Sequence, residues 1–220
     1  QEELIAALAR LGKPLVTVVI AGRAYCIEKI ENASDAVLYA FYPGPMGGRA
    51  VAELLYGSSN PSGRLPVSMP RHVGQIPVCY NYRTSVATAY CDMTSQPLHT
   101  FGEGRSYTTF TGSDVSVTKE ENGISVSFTV ENTGNMAGTS VPCLYVRKRS
   151  GGVVARIKEL KAFTRIALAP GEKKEAVFHL TKEELNFVQI PGKPEVICHE
   201  YELMLEDGAE KWWTGNVTEM

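Results

Sequence analysis

The sequence has almost no excess charge of either sign, and this narrows the range of partners. Its 220 residues carry 22 basic and 24 acidic side chains, a formal net charge of −2. Proteins that bind nucleic acids or anionic membrane surfaces usually carry a marked basic excess, so neither partner is predicted. Long apolar runs are also absent. The longest, at residues 15–21, is far shorter than the roughly 18 residues of a membrane-spanning segment.

Disulfide and metal-ligand patterns are absent as well. The five cysteines are odd in number and widely spaced without a C-x-x-C pair, and the four histidines show no H-x-x-x-H spacing. Free thiols are typical of a reduced compartment, which favours the cytoplasm. We expect no metal site and no cofactor. The cysteines are Cys26, Cys79, Cys91, Cys143 and Cys198.

The first 70 residues alternate between helical and strand-like patterns. Helical periodicity covers residues 2–11 and 46–56, with a short helix or turn at 25–33, whereas 15–21 and 36–41 are almost entirely apolar. Strands without apolar–polar alternation are buried on both faces, as in parallel sheets covered by helices. Two such strands cannot cover their own sheet. We therefore expect the last part of an α/β sandwich domain, with earlier strands upstream or on another chain, and an exposed sheet that favours a homo-oligomer.

The pattern changes twice after residue 70. Residues 71–111 are irregular and rich in tyrosine, serine, threonine and proline, which predicts a strap between domains. Residues 112–220 contain about seven short strand-like segments separated by turns such as Glu121-Asn-Gly123. This spacing predicts an all-β sandwich, in which Pro142 places its strand at an edge or a bulge.

Several motifs occur in a fixed order along the chain. The longer ones are AFYPGPMGGR at 40–49, GSSNPSGRLPVSMP at 57–70 and PLHTFGEGRSYTTF at 97–110. Together they resemble segments of glycoside hydrolase family 3, the β-glucosidases and their relatives. The shorter ones are VENTG at 130–134, KELKAF at 158–163 and LAPGE at 168–172. These resemble the fibronectin type III-like domain that ends many enzymes of the family.

The resemblance implies a retaining β-glycosidase whose catalytic residues lie outside this chain. Retaining enzymes use two carboxylates about 5 Å apart, a nucleophile and a general acid/base. In the family's usual arrangement, the nucleophile is an aspartate on an N-terminal barrel domain. The acid/base glutamate comes shortly before the helix expected at residues 2–11. No catalytic residue is assigned here, and this chain alone is expected to be inactive. The implied partners are the barrel domain, from the same gene or a separate chain, and a β-linked glucoside or oligosaccharide, with β-xylosides left open.

The candidate substrate-binding residues lie in the strap and are Tyr90, Asp92 and His99. The resemblance implies that this region runs near the barrel. There the aromatic rings could stack on a sugar in an outer subsite and Asp92 could hydrogen-bond to it. Packing between domains is the alternative for all three. For Trp212-Trp213, alternation along a strand predicts that one ring enters the core and that the other is a surface or contact residue, with sugar stacking as a further alternative.

Other charged and glycine-rich stretches are interpreted as structural. The carboxylates that could be weighed as a catalytic pair are Asp92 and Glu103 in the irregular part and Glu28, Glu31 and Asp35 in the α/β part. Each is expected to be a solvated surface charge, because their spacing gives no reason for them to converge. Residues 44–48 are interpreted as a tight strand-to-helix turn, with an anion cradle at the helix N-terminus as the alternative. The rival to the glycosidase reading is a non-catalytic carbohydrate- or protein-binding module built on the β-sandwich, which should fold and stay monodisperse alone.

Overall fold

The structure is a computed structural model that describes residues 1–83, 92–151, 153–187, 191 and 196–218. The described chain forms two units. The first comprises Gln1–Ser59, Pro66–Cys79 and the described residues within Tyr90–Phe101. The second comprises Asn60–Leu65 and the described residues within Tyr80–Ala89 and Gly102–Met220. These two units are made of separate segments of the chain. The predicted domain boundaries after residues 70 and 111 therefore stay a prediction.

The first unit contains the helices and strands that the sequence predicts, each slightly shorter. In chain order they are α1 (Glu2–Ala9), β1 (Val16–Val19), α2 (Glu28–Ala33), β2 (Ala36–Tyr39) and α3 (Gly47–Leu55). Strands β1 and β2 pair in parallel, with Val16 opposite Ala36 and Val19 opposite Tyr39. A parallel pair needs a crossover connection, and α2 supplies it. This arrangement confirms the α/β class of the first part of the chain.

The strands of this unit are less buried than their apolar sequences predict. No residue of β1 or β2 is fully buried, and Val16 remains 48% exposed. The apolar stripe of α1 is also uncovered, with Leu4 at 63% exposed. The described residues therefore do not bury both faces of the sheet. That elements outside this chain cover the exposed faces stays a prediction. Within the described ranges, no helix has the length and apolar character needed to cross a bilayer.

The second unit is built almost entirely of strands. They are β3 (Phe110–Glu120), β4 (Gly123–Asn132), β5 (Gly138–Ser140), β6 (Pro142–Lys148), β7 (Glu159–Phe163), β8 (Ile166–Leu168), β9 (Lys173–Thr181), β10 (Glu200–Asp207) and β11 (Glu210–Thr218). They form a four-stranded sheet in the order β11-β10-β6-β7, a three-stranded sheet β3-β4-β9 and the pair β5-β8. The helix α4 (Lys182–Leu185) follows β9. The sequence missed β5 and α4 because both are too short to show a period.

Alternating strands place the core between the two larger sheets. Along β4 every second residue is fully buried, and Val126 and Val130 are 0% exposed. Strand β6 supplies Leu144 and Val146, also at 0%. The edge position predicted from Pro142 is wrong, because β6 lies between β10 and β7. Pro142 is tolerated as the first residue of its strand, and a register shift follows at Leu144/Tyr145.

Residues 60–65, the centre of the GSSNPSGRLPVSMP motif, are fixed to the second unit by polar contacts. Arg64 donates from Nη2 and Nε to Oδ1 of Asp207, at 2.6 and 3.0 Å. The other carboxylate oxygen of Asp207 accepts hydrogen bonds from Ser140 Oγ at 2.6 Å and from the Val141 amide at 3.2 Å. The Arg64 and Asp207 side chains are only 10% and 4% exposed. This buried pair explains why a turn-like sequence has a defined conformation.

Candidate functional site at the carboxyl edge of the parallel strands

In parallel α/β sheets, ligands bind outside the carboxyl ends of the strands. In the first unit these ends lead into residues 20–27 after β1 and residues 40–46 after β2. Pairing continues a little beyond the strands, because the Ala40 amide donates to Val19 O at 2.9 Å and the Ala21 amide to Phe41 O at 3.2 Å. The two loops are thereby held side by side at one edge of the sheet.

The loop after β2 contains a strained backbone position. Phe41 has φ 49°, in the left-handed region that bulky residues seldom adopt. Such a conformation costs about 1–3 kcal/mol and is often found at functional sites. The next side chain, Tyr42, lies over Gly22 of the neighbouring loop, where a Cβ on Gly22 would come within 2.5 Å of the ring. Gly22 is thus needed for the ring of Tyr42 to lie where it does, and Tyr42 is still 80% exposed.

The loop after β1 adds a guanidinium group and a second exposed ring. The Arg23 guanidinium lies 4.8 Å from the centroid of the Tyr25 ring, a cation–π distance. Tyr39, at the end of β2, donates its hydroxyl to Arg23 O at 2.5 Å. Partial burial raises the pKa of Tyr39, so its hydroxyl stays protonated as a donor at neutral pH. These contacts hold the two loops together as one surface.

A cavity of about 440 Å³ lies beside these loops. The N-terminus of α1 and the end of the loop after β1 both reach it, through Glu2 and Cys26. Its charged groups are paired, with Lys29 Nζ 3.1 Å from Glu2 Oε2 and Arg71 bound to Glu28. Among the described residues, Arg71 Nε is buried and has no hydrogen-bond partner. The remaining lining residues are His72, Val73 and Met93.

Of the three predicted substrate-binding residues, two can be placed. His99 Nε2 lies 2.9 Å from Glu31 Oε2. The His99 carbonyl accepts a hydrogen bond from the Met69 amide at 2.8 Å, and the Leu98 amide donates to Met69 O at 2.8 Å. Asp92 is exposed and lies directly before Met93, which lines the cavity. Tyr90 lies outside the described residues. The structure thus brings Asp92 near the cavity and gives His99 a partner on α2.

The acidic residues expected to be solvated are partnered. Glu28 and Glu31, one turn apart on α2, bind Arg71 and His99 respectively. Asp35 accepts a hydrogen bond from the Leu15 amide at 2.7 Å. As expected, these residues stay in contact with solvent, because Asp35 is exposed and the Glu28 and Glu31 side chains are 41% and 39% exposed. Each also closes a contact with a segment distant in sequence. Among the described residues, no three histidine, cysteine, aspartate or glutamate side chains form a group that could hold a metal ion.

In the second unit, Trp212 and Trp213 do not alternate between core and surface as predicted. Both rings are partly buried and pack against the core. The register pairs Trp213 with Leu205 and Lys211 with Glu206, which leaves Trp212 as an extra residue in a bulge. A bulge breaks the alternation of side chains, so two consecutive rings can face the same side.

The residues that sequence reasoning missed are Arg23, Tyr25 and Tyr42. Tyr42 belongs to the AFYPGPMGGR motif, whose glycines at 44–48 predict a turn or an anion cradle, and neither of those predictions involves the aromatic ring. The available signal was the presence of aromatic side chains directly after two predicted parallel strands, where ligands bind. Their common location at one edge depends on the parallel register of β1 and β2.

Comparison with known proteins agrees with this architecture along the chain. Residues 1–107 match the glycosyl hydrolase family 3 C-terminal domain, and residues 140–209 match a fibronectin type III-like domain. The chain belongs to glycosyl hydrolase family 3. It corresponds to the C-terminal portion of the enzymes of this family, as the motifs at 40–49, 57–70 and 97–110 indicate.

Curated relatives and solved structures are glycosidases. The family 3 chain is 40% identical over 202 residues to a periplasmic β-glucosidase of Salmonella typhimurium, covering 85% of this chain and 26% of the relative. It is 36% identical over 210 residues to a putative β-xylosidase of Formosa agariphila, covering 93% of this chain and 28% of the relative. A β-glucosidase from Listeria innocua, in complex with isofagomine, matches with a TM-score of 0.92 and 31% identity, over 99% of this chain and 32% of that one. This chain therefore spans about a quarter to a third of these relatives.

Proposed function

We propose that the protein containing this chain is a retaining β-glycosidase that hydrolyses terminal β-glycosidic bonds, with β-glucosides as the favoured substrates. The observation that carries this proposal is the 40% identity over 202 residues to a β-glucosidase. β-Xylosides are the second candidate substrates, because a relative named as a β-xylosidase is 36% identical over 210 residues. In this proposal the nucleophile belongs to an N-terminal barrel domain, and residues 1–220 supply no catalytic carboxylate.

The position of α1 favours a structural role for this chain, as part of the wall of the active site. In family 3, the acid/base glutamate typically comes shortly before the helix that corresponds to α1. Glu2, the first residue of α1, lines the cavity at the carboxyl edge together with Cys26. A residue shortly before Glu2 would therefore lie close to that cavity. The chain would then form one wall of the space in which the sugar is cleaved.

Individual side chains of this wall have distinct proposed roles. Arg71 Nε is buried without a hydrogen-bond partner among the described residues, and a sugar hydroxyl would satisfy it. Asp92 is exposed and directly precedes Met93, which lines the cavity, and it is proposed to hydrogen-bond to the substrate. Tyr90 is proposed to stack on the substrate. His99 would contribute through its contact with Glu31, by fixing the end of the strap against α2.

Hydrolysis of aryl β-glucosides tests the proposal. We expect the longer product of the gene to release the chromophore, with the aryl β-xyloside cleaved more slowly, and residues 1–220 alone to release none. The matched comparison is the same assay with both proteins at equal concentration and checked for folding by circular dichroism.

Turnover by residues 1–220 alone would contradict the assignment of both carboxylates to another part of the protein. In that case Asp92 and Glu103 are the first residues to substitute. Failure of the longer protein to cleave either glycoside, while folded, would contradict the proposed function itself. The rival, a non-catalytic binding module, requires that residues 1–220 stay monomeric and bind carbohydrate without the longer protein.

A further inference from the structure

The surface formed by Arg23, Tyr25 and Tyr42, which we call the aromatic ledge, is open and aromatic. Tyr42 is 80% exposed and Tyr25 is 45% exposed. Exposed rings that share a surface with a charged donor are more typical of binding sites than of an ordinary protein exterior. The cavity of about 440 Å³ is lined by Cys26, the residue directly after Tyr25.

The backbone holds the ledge in place. Tyr42 follows a residue with a left-handed backbone, Phe41, and its ring lies over Gly22, whose missing side chain leaves the space. Tyr25 is packed by the Arg23 guanidinium, and the hydroxyl of Tyr39 binds the Arg23 carbonyl. A ring that is already positioned loses little conformational freedom when a ligand binds. The strain at Phe41 thus has a structural result, the fixed presentation of Tyr42.

The chemistry of the ledge suits a sugar ring. A pyranose in a β-linked glucan or xylan has two faces rich in C–H groups, which pack on aromatic rings, and a rim of hydroxyl groups. The guanidinium of Arg23 offers N–H donors to that rim, and the tyrosine hydroxyls can donate or accept. A β-linked oligosaccharide whose terminal sugar occupied the cavity would extend past Cys26 onto this surface.

We propose that the aromatic ledge is an outer subsite for the second or third sugar of a β-linked oligosaccharide, with Tyr42 as its main stacking residue. The inference rests on the proposed function, because it assumes that the cavity receives the sugar to be cleaved. It differs from the sites assigned to Asp92 and His99, which lie in the strap. The ledge would favour oligosaccharides over aryl monoglycosides, so it determines specificity for chain length.

The test compares Tyr42→Ala, Tyr42→Phe and Tyr56→Ala in the longer product of the gene. Tyr56 is the matched control because it is 89% exposed and caps the far end of α3, about 13 Å along the helix. We expect Tyr42→Ala to raise KM for a β-linked trisaccharide about three- to tenfold, the loss of one aromatic contact, with kcat within about twofold. Tyr42→Phe should keep most of the affinity because it keeps the ring, and Tyr56→Ala should match the wild type.

Two results from kinetics and melting, and one from binding, would overturn the inference. In the first, Tyr42→Ala raises KM for an aryl β-glucoside and for the trisaccharide by the same factor. In the second, Tyr42→Ala lowers the melting temperature of the longer protein with no selective change in KM, which would mean that the ring packs against another domain. Calorimetric titration with a sulfur-linked, uncleavable trisaccharide tests the subsite without turnover. An inactive wild type would contradict the proposed function, whereas equal binding by wild type and Tyr42→Ala would contradict the ledge alone.

Discussion

The ion pair between Arg64 and Asp207 allows a quantitative test of how residues 60–65 are held in the second unit. The two side chains are 10% and 4% exposed, and Arg64 makes two hydrogen bonds to one carboxylate oxygen. Arg64→Met removes the charge and all donors but keeps a long apolar side chain. The substitution therefore separates the electrostatic contribution of Arg64 from its packing.

The expected cost follows from what remains around Asp207. One carboxylate oxygen keeps Ser140 Oγ and the Val141 amide as donors, at 2.6 and 3.2 Å, while the other loses both of its donors. Removal of one partner from a buried ion pair typically destabilises a protein by about 3–5 kcal/mol, because the other charge stays buried and uncompensated. The two remaining donors place this case near the lower end, at about 3 kcal/mol.

Urea unfolding followed by tryptophan fluorescence measures this cost in the second unit. The chain has only two tryptophans, both in β11. With a typical dependence of about 2 kcal/mol per molar urea, the midpoint should fall by about 1.5 M. Lys173→Met is the control, because Lys173 is 62% exposed in its pair with Glu131. An exposed pair of this kind contributes less than about 1 kcal/mol.

A midpoint for Arg64→Met equal to that of Lys173→Met would refute the reasoning. It would show that Asp207 is solvated or finds another donor. The double variant Arg64→Met, Asp207→Asn gives a second check, because asparagine loses the charge and keeps an oxygen that can accept from Ser140 and Val141. It removes the uncompensated charge, so it should be more stable than Arg64→Met alone. An additive loss in the double variant would mean that the two side chains contribute independently.

Three further predictions concern single groups of the second unit. Burial raises the pKa of Cys143 to about 11, so iodoacetamide at pH 8 should label the exposed Cys79 and leave Cys143 unmodified until urea is added. Burial is the largest single influence on the pKa of Glu159 and raises it, but the hydrogen bond from Lys148 and the positive charges of Lys148, Lys161 and Arg156 together outweigh burial and hold the pKa below 4.5. Its stabilising contribution is therefore complete above pH 4.5 and is lost as the pH falls through the lowered pKa, a dependence that Glu159→Gln should weaken in acid unfolding curves. Thr181→Ala should cost about 1 kcal/mol of unfolding free energy in urea, because Thr181 Oγ1 caps α4 by accepting from the Glu184 amide at 3.2 Å.

The elements of both units could be predicted where the sequence period is long. Residues 15–21 and 36–41 gave β1 and β2 because apolar runs of that length favour buried strands. The two-residue turn of the Glu121-Asn-Gly123 hairpin, with Glu120 opposite Gly123, is confirmed. Two predictions that depend on strand pairing and register were wrong. Strand β6 is internal rather than at an edge, and Trp212 and Trp213 both pack against the core. A bulge shifts side chains by one position, and no local pattern records it.

The candidate site was harder to predict than the fold, for a physical reason. Arg23 and Tyr42 are 19 positions apart, and only the parallel pairing of β1 with β2 places their loops side by side. Periodicity indicates that each strand exists, but the partner and direction of a strand are tertiary properties. Local sequence therefore points to the polar and aromatic residues of the strap, and does not indicate that the aromatic residues after the two strands lie at one edge.

The GSSNPSGRLPVSMP motif shows why a turn-like sequence can identify a family better than a core strand. Gly57 has φ 72° after α3, a backbone that favours glycine. Asn60 accepts from the Tyr107 amide at 2.8 Å, and Arg64 binds Asp207 across 143 positions of sequence. Gly57 is required by its backbone, and Asn60 and Arg64 each have a specific polar partner, whereas a buried valine can often be replaced by isoleucine. Specific partners that are distant in sequence thus constrain the residues of an irregular segment. For the same reason, substitution of Arg64 tests the packing of this segment more directly than substitution of a single apolar residue.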